Sequence, residues 1–167
     1  MGLIFLGIPK YNVVLRDDKS YPYIYVSSHQ DFPRIEFQRK NKALKGEYFG
    51  PYPNVMAVRE TLTELQKIFK VRQCKDSYFR NRSRPCLQYQ IKRCTAPCVG
   101  FVSKKDYQIQ VDQAKNFLNG DSDKIKEIFA EKMQEYSSNL DFENAAVWRN
   151  KIRALTSIQS FQSVNIN

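Results

Sequence analysis

The chain has 167 residues, a formal net charge of +10, four cysteines and a single histidine. A chain of this length forms one domain or two small ones. No stretch approaches the roughly 18 apolar residues of a membrane span, and the first ten residues show no charged leader and no small-residue cleavage pattern. The composition therefore argues against a membrane or secreted protein, and we expect a cytoplasmic chain that does not bind membranes.

The positive charge is unevenly distributed along the sequence. Residues 1–120 carry a net charge of +11, whereas residues 121–167 carry a net charge of −1. An asymmetry of this kind indicates that the first part faces nucleic acid and that the last part serves another purpose.

The N-terminal third predicts β-structure followed by a linker. Residues 12–37 contain three runs, NVVLRD, YPYIYV and PRIEF, that are rich in β-branched and aromatic residues. Residues 38–53 begin with basic residues and end in an aromatic turn punctuated by glycine and proline. We interpret this second segment as a linker.

A helix is predicted from Asn54, a good N-cap residue, to about Phe69. Apolar side chains recur along this segment at helical spacing and predict one buried stripe. The members of the stripe are Val55, Val58, Leu62, Leu65 and Phe69.

All four cysteines of the chain follow this helix within one stretch of 25 residues, with the spacing C-x11-C-x7-C-x3-C. Four thiols are the ligand set of a tetrahedral zinc or of an iron–sulfur cluster. Free buried thiols and two disulfides are the alternatives, although disulfides belong mainly to secreted chains. The spacing does not choose the metal. The predicted ligands are Cys74, Cys86, Cys94 and Cys98.

The cysteine segment is strongly basic. Nine Lys or Arg residues and a single acid, Asp76, lie between Lys67 and Arg93. Cations at this density are typical of a surface that contacts phosphate. The predicted DNA contacts are Arg72, Arg80, Arg82, Arg84, Lys92 and Arg93.

The C-terminal part predicts three helices. The first helix begins at a capping box that starts with Ser103. The same helix is predicted to end at Asn119-Gly120. Residues 122–160 predict two further helices joined by a tight turn, with Asp141 as the N-cap of the second. Two helices with one apolar seam make an αα-hairpin, which buries little by itself and so offers apolar surface either to a partner or to the rest of the chain.

These elements together predict an α+β fold that is mainly α. We divide it into a small β segment with its linker at 1–53, a cysteine-rich basic helical module at 54–120, and an αα-hairpin at 121–167.

Several long runs carry a family resemblance. The runs Pro9-Lys10-Tyr11-Asn12, LRDDKSYPYI, GEYFGPYPN and RPCLQYQIKRCTAPCVG resemble the UvrC family of the bacterial excision-repair nuclease. The run LDFENAAVWRNKIRAL is similar to the UVR hairpin by which UvrC proteins dock on UvrB. The similarity covers about residues 9–160 in the same order.

The resemblance implies a [4Fe–4S] cluster on the four cysteines, with zinc as the alternative. It implies that residues 1–53 are the end of a GIY-YIG nuclease domain and that the hairpin binds a UvrB-like protein. Leu140 and Phe142 flank the turn of that hairpin, where small alanines let another helix approach and an arginine supplies a rim charge. The predicted partner residues are Leu140, Phe142, Ala145, Ala146 and Arg149.

The nuclease motifs of the family are mostly missing. In the GIY-YIG domain, only Asn12 matches an active-site position, and the second nuclease and the helix-hairpin-helix module have no counterpart. Whether the chain is an enzyme therefore stays open. We expect a truncated component of nucleotide excision repair that binds DNA and UvrB; the alternatives are a catalytically dead decoy or regulator of UvrB and a nonfunctional gene remnant.

Overall fold

A computed structural model describes residues 21–39 and 44–166, with side chains described as far as residue 160. It confirms an α+β fold that is mainly α. The described part forms two compact units, one ending at Ala114 and the other beginning at Lys115. Asn12, the predicted strand NVVLRD and part of the predicted linker lie outside the described residues. None of the helices in the described ranges is long and apolar enough to cross a membrane.

A three-stranded antiparallel sheet opens the first unit. The strands are β1 (Pro22–Ser27), β2 (Ile35–Arg39) and β3 (Gly46–Phe49), in the order β2-β1-β3. Every residue of β1 is buried, which fits its central place and indicates that both faces of this strand are covered.

The third strand corrects the predicted linker at 38–53. Gly46–Phe49 pairs with β1 in the register Ile24↔Phe49, although the segment is too short to show a strand pattern of its own. Gly46 is required there, because a Cβ atom at this position would collide with the Val26 carbonyl oxygen and the Tyr25 ring.

Helix α1 (Val55–Phe69) follows the prediction closely. The Asn54 side chain accepts a hydrogen bond of 2.8 Å from the Ala57 N–H and so caps the helix. The helix ends at Lys70, whose left-handed backbone (φ 56°) directs its N–H to the Gln66 carbonyl. The predicted stripe is buried except for Val55, which is half-buried.

Three short elements and one long helix follow α1. They are α2 (Asp76–Arg80), α3 (Leu87–Gln90), a single 3₁₀ turn (Pro97–Val99) and α4 (Lys104–Leu118). The Ser103 hydroxyl accepts from the Asp106 N–H at 3.1 Å, which confirms the predicted start of α4. The predicted apolar residues of α4 are all buried: Tyr107, Val111, Ala114, Phe117 and Leu118.

The second unit contains the predicted hairpin, built from α5 (Ser122–Ser138) and α6 (Phe142–Ile166). Asp141 caps α6 by accepting from the Asn144 N–H at 3.2 Å, as predicted. Phe129 and Trp148 pack edge to face across the seam, with ring centroids 5.1 Å apart. The seam is closed by the buried side chains Ile125, Phe129, Ala145, Leu155 and Ile158.

Candidate functional site

The four cysteines lie on the short elements between α1 and α4. Cys74 precedes α2, Cys86 is the N-cap of α3, Cys94 follows α3, and Cys98 lies in the 3₁₀ turn. The chain reverses direction tightly here, with left-handed backbone at Lys92. Such reversals bring ligands that are distant in sequence onto one side of a small module.

The thiols share one electrostatic neighbourhood. All four are free; Cys94 is buried, and the other three are half-buried. The pKa of Cys94 is raised to about 11, mainly by burial; a hydrogen bond from the Ala96 backbone acts to lower it, and the other three thiols add to the rise. Burial likewise raises the pKa of Cys98, with contributions from Cys74 and Cys86. The four predicted ligands therefore lie near one another.

The four thiols lie near one another but are not arranged as a complete metal site. In the ranges 21–39 and 44–166, no three Cys, His, Asp or Glu side chains stand close enough together to hold a metal ion. The donor set still fits a soft metal or a cluster in kind, since four clustered thiols disfavour one another's ionisation until a cation compensates the charge. Ligation would require the segments that carry the thiols to move closer to one another.

Arg72 is the structural hub of this module, and its position corrects its predicted role as a DNA contact. Its side chain is only 3% exposed. The guanidinium donates to the Phe32 carbonyl (2.8 Å), the Cys74 carbonyl (2.8 Å), Gln30 Oε1 (2.5 Å) and Asp76 Oδ1 (2.9 Å). It also lies 4.3 Å above the Phe79 ring. A guanidinium with all these partners has no surface left for phosphate.

Asp76 completes the ion pair. Burial acts to raise the pKa of Asp76, but the hydrogen bond and charge of Arg72 outweigh it and, with Arg34 and Gln30, hold the pKa below its usual range. The backbone N–H of Arg72 donates to the Tyr107 hydroxyl at 3.0 Å, and that hydroxyl donates to the Pro33 carbonyl at 2.6 Å. The cysteine segment is thus tied to the loop before β2 and to α4.

Sequence reasoning missed this hub, although one signal was present. Asp76 is the single acid among nine cations, and a lone acid in such a stretch is a candidate for a structural ion pair. Gln30 and Phe32 lie about 40 residues from Arg72 in sequence, so no local pattern could have identified them.

The other predicted DNA contacts lie at the surface. Arg80, Arg82, Arg84 and Lys92 are exposed, and Arg93 is half-buried. Arg82 and Arg84 line a cavity of about 680 Å³. The same cavity is also bordered by Cys74, Tyr78, Pro85, Cys86, Leu87, Gln88 and Gln90.

The hairpin places the predicted partner residues on two sides. Leu140 and Phe142 are 75% and 62% exposed at the turn, and Arg149 is exposed further along α6. Ala145 is buried in the seam and Ala146 is half-buried, so Ala145 packs within the hairpin. Val147, which sequence reasoning missed, adds an exposed apolar side chain just over one turn after Phe142.

Comparison with known proteins identifies the family. Residues 21–117 match the family model of the UvrC/Cho excinuclease middle domain, and residues 130–157 match the UvrB/uvrC motif. The chain is 58% identical over 157 residues to the UvrABC system protein C of Legionella pneumophila (strain Paris), and 56% identical over 156 residues to that of Alkalilimnicola ehrlichii. No solved structure shows a significant match.

The coverage of these alignments is unequal. They include 93% of this chain but only 25% and 26% of the two relatives, so the chain spans about a quarter of the length of the curated proteins it matches. The match of the middle domain covers more than half of the chain and contains all four cysteines. The chain therefore belongs to the UvrC family of excision-repair proteins, as a middle domain followed by a UVR motif.

Proposed function

We propose that this chain acts in nucleotide excision repair by binding DNA through the cysteine module and a UvrB-like protein through the hairpin. The observation that carries the DNA-binding part is the exposure of Arg82 and Arg84 beside the clustered thiols. Guanidinium groups form bidentate, charge-assisted hydrogen bonds with phosphate. Contacts of this kind fix the position of a protein on DNA without reading its sequence.

The proposed role of a cluster in this module is structural. The four cysteines would hold a [4Fe–4S] cluster, with zinc as the alternative, and the bound group would keep the segments around Arg82 and Arg84 in place. The supporting observation is that burial and neighbouring thiols raise the pKa of Cys94, which is the electrostatic situation that a bound cation relieves.

The hairpin is proposed as the partner-binding element. Phe142 and Leu140 are large, apolar and exposed, whereas Ile125, Phe129 and Leu155 of the same hairpin are buried. Large side chains that become buried when a partner binds are common anchors of an interface. A regulator that binds only the UvrB-like partner is the second candidate function, and it is favoured by these same exposed side chains.

The experiment is a salt titration of DNA binding, measured by the fluorescence anisotropy of a labelled duplex. We expect weak affinity with little sequence preference and a steep fall with salt, because phosphate contacts release counterions. Arg82→Ala plus Arg84→Ala should weaken binding to all sequences alike and reduce the salt slope by about 2.

A matched charge control uses two other exposed cations of the same unit, Arg59 and Lys105. The pair Arg59→Ala plus Lys105→Ala removes the same charge and should leave the salt slope unchanged. Equal slopes for the two double variants, or binding that is insensitive to salt, would contradict the DNA-binding role. The regulator alternative would then stand if a UvrB-like protein still bound.

A further inference from the structure

Two exposed arginines continue the helix face that begins with Phe142. Phe142, Arg149 and Arg153 are separated by seven and four residues, and the helical period places the three side chains on one stripe of α6. All three side chains are exposed. At the rise of an α-helix, the arginines lie roughly 10 and 16 Å along the axis from Phe142. The apolar anchor and the two cations therefore form one continuous surface, which we call the arginine stripe.

The two cations of the arginine stripe have no counter-charge in the part of the chain that the structure describes. None of the ion pairs between described residues includes Arg149 or Arg153. The two arginines lie one turn apart, and like charges at this spacing repel each other. The Lys151 ammonium, by contrast, lies 4.3 Å from the centroid of the Trp148 ring. Two uncompensated cations beside an exposed anchor indicate that the compensating charge comes from a partner.

The charge of the rest of the hairpin favours a protein over nucleic acid as that partner. Helix α5 carries exposed glutamates at successive turns, and residues 121–167 have a net charge of −1. These glutamates are Glu127, Glu131 and Glu135. A DNA duplex is negatively charged along its whole length, so they would repel it. A protein surface can instead present carboxylates to the arginines alone, together with a pocket for Phe142.

Building on the proposed binding of a UvrB-like protein, we propose that Arg149 and Arg153 dock on a pair of carboxylates of that protein, beside the pocket that takes Phe142. Guanidinium groups pair with carboxylates in a bidentate, charge-assisted geometry. The two arginines are one turn apart, which matches two acids one turn apart on a facing helix. Both cations lie on the C-terminal side of Phe142, so they also set the direction in which α6 lies on the partner.

The test measures the association and dissociation rates of the whole chain with a purified UvrB-like protein, at about 50 mM and about 500 mM salt. Arg149→Gln plus Arg153→Gln should lower the association rate constant about tenfold at the lower salt and leave the dissociation rate within about twofold, because exposed charges act mainly on association. At the higher salt the difference should shrink to less than about twofold, since salt screens the attraction.

Lys124→Gln plus Lys132→Gln is the matched control, because it removes two exposed cations from α5 of the same hairpin. It should change the association rate by less than about twofold. Arg149→Lys plus Arg153→Lys keeps the charge and should keep the association rate. The lysines introduced at these two positions also permit carbodiimide cross-linking, and mass spectrometry should find them joined to aspartate or glutamate side chains of the partner.

Equal association rates for the two double glutamine variants, or cross-links to no carboxylate of the partner, would overturn the inference. Binding that Phe142→Ala still weakens would then support the proposed partner function, whereas absence of binding by the unsubstituted chain would overturn both. A loss of duplex DNA affinity in Arg149→Gln plus Arg153→Gln that equals the loss in Arg82→Ala plus Arg84→Ala would overturn the inference and assign the arginine stripe to DNA.

Discussion

Replacement of Arg72 by methionine should strongly destabilise the cysteine module. The change keeps most of the side-chain volume but removes the charge and every donor of the guanidinium. Asp76 Oδ1 and Gln30 Oε1 lose the guanidinium as a donor, although Gln30 Nε2 still donates to Asp76 Oδ2 at 2.6 Å. The carbonyls of Phe32 and Cys74 lose the same donor. The cation–π contact with Phe79 is also lost.

The magnitude follows from burial. Removing one member of a buried ion pair costs about 3–5 kcal/mol, and each buried carbonyl left without a donor costs about 1–3 kcal/mol. These costs are not additive, because the groups form one network. The Asp76 side chain is 32% exposed and is partly rehydrated when Arg72 is removed. We therefore expect a loss of about 4 kcal/mol, a large part of the roughly 5–15 kcal/mol that stabilises a typical domain.

Urea unfolding, followed by circular dichroism, measures this loss. Arg80→Met is the matched control, because Arg80 is an exposed arginine eight residues further along the chain, and its free energy of unfolding should change by less than about 0.5 kcal/mol. Arg72→Lys keeps a charge but offers three donors at one point, so it should fall between the two. The reasoning is refuted if Arg72→Met and Arg80→Met unfold at the same urea concentration.

Three further predictions concern the metal group, catalysis and the partner. Protein purified anaerobically should be brown with about four irons per chain, and Cys86→Ser or Cys94→Ser should lose the colour; colourless protein with one tightly bound zinc would reassign the metal and keep the ligands. If Asn12 is the one counterpart of the GIY-YIG site in this chain, as the resemblance predicts, the chain should not cut DNA with magnesium or manganese; nicking that persists through rigorous purification would contradict this. Phe142→Ala should weaken binding to a UvrB-like protein by about 2 kcal/mol in calorimetric titration. The melting temperature should not fall, since Phe142 is 62% exposed. A lower melting temperature at unchanged affinity would instead place Phe142 inside the fold.

The elements that could be predicted from the sequence are those with local signals. Asn54, Ser103 and Asp141 each cap the predicted helix through a hydrogen bond that spans three residues. The strand β3 and the helices α2 and α3 were not predicted, because four or five residues are too few to show a period. These elements depend on the surrounding structure: β3 forms because it pairs with β1 over Ile24–Ser27.

The candidate site also contains residues with local sequence signals and residues whose role depends on distant contacts. The cysteines and the surface cations are predictions from composition and spacing, whereas the structural role of Arg72 depends on partners contributed by the loop between β1 and β2. Charge count alone cannot separate an arginine that faces DNA from one that organises a core, because both occur in basic stretches. Burial identifies the structural one: Arg72 is 3% exposed, whereas Arg82 and Arg84 lie at the surface and are free to make the contacts proposed for them.

Arg72 also relates the fold to the proposed chemistry. Its backbone carbonyl accepts from the Ile35 N–H of β2 at 3.0 Å, and its guanidinium holds the Cys74 carbonyl and lies 3.8 Å from the Cys74 Sγ. The sheet thus fixes one of the four thiols through a single buried side chain, while Cys86 lies beyond the exposed segment that carries Arg82 and Arg84. A metal group held by the four cysteines would therefore connect this anchored thiol to the segment that carries Arg82 and Arg84, which we propose to contact DNA. On this reasoning, loss of the metal group should weaken DNA binding before it unfolds the sheet, and loss of Arg72 should do both together.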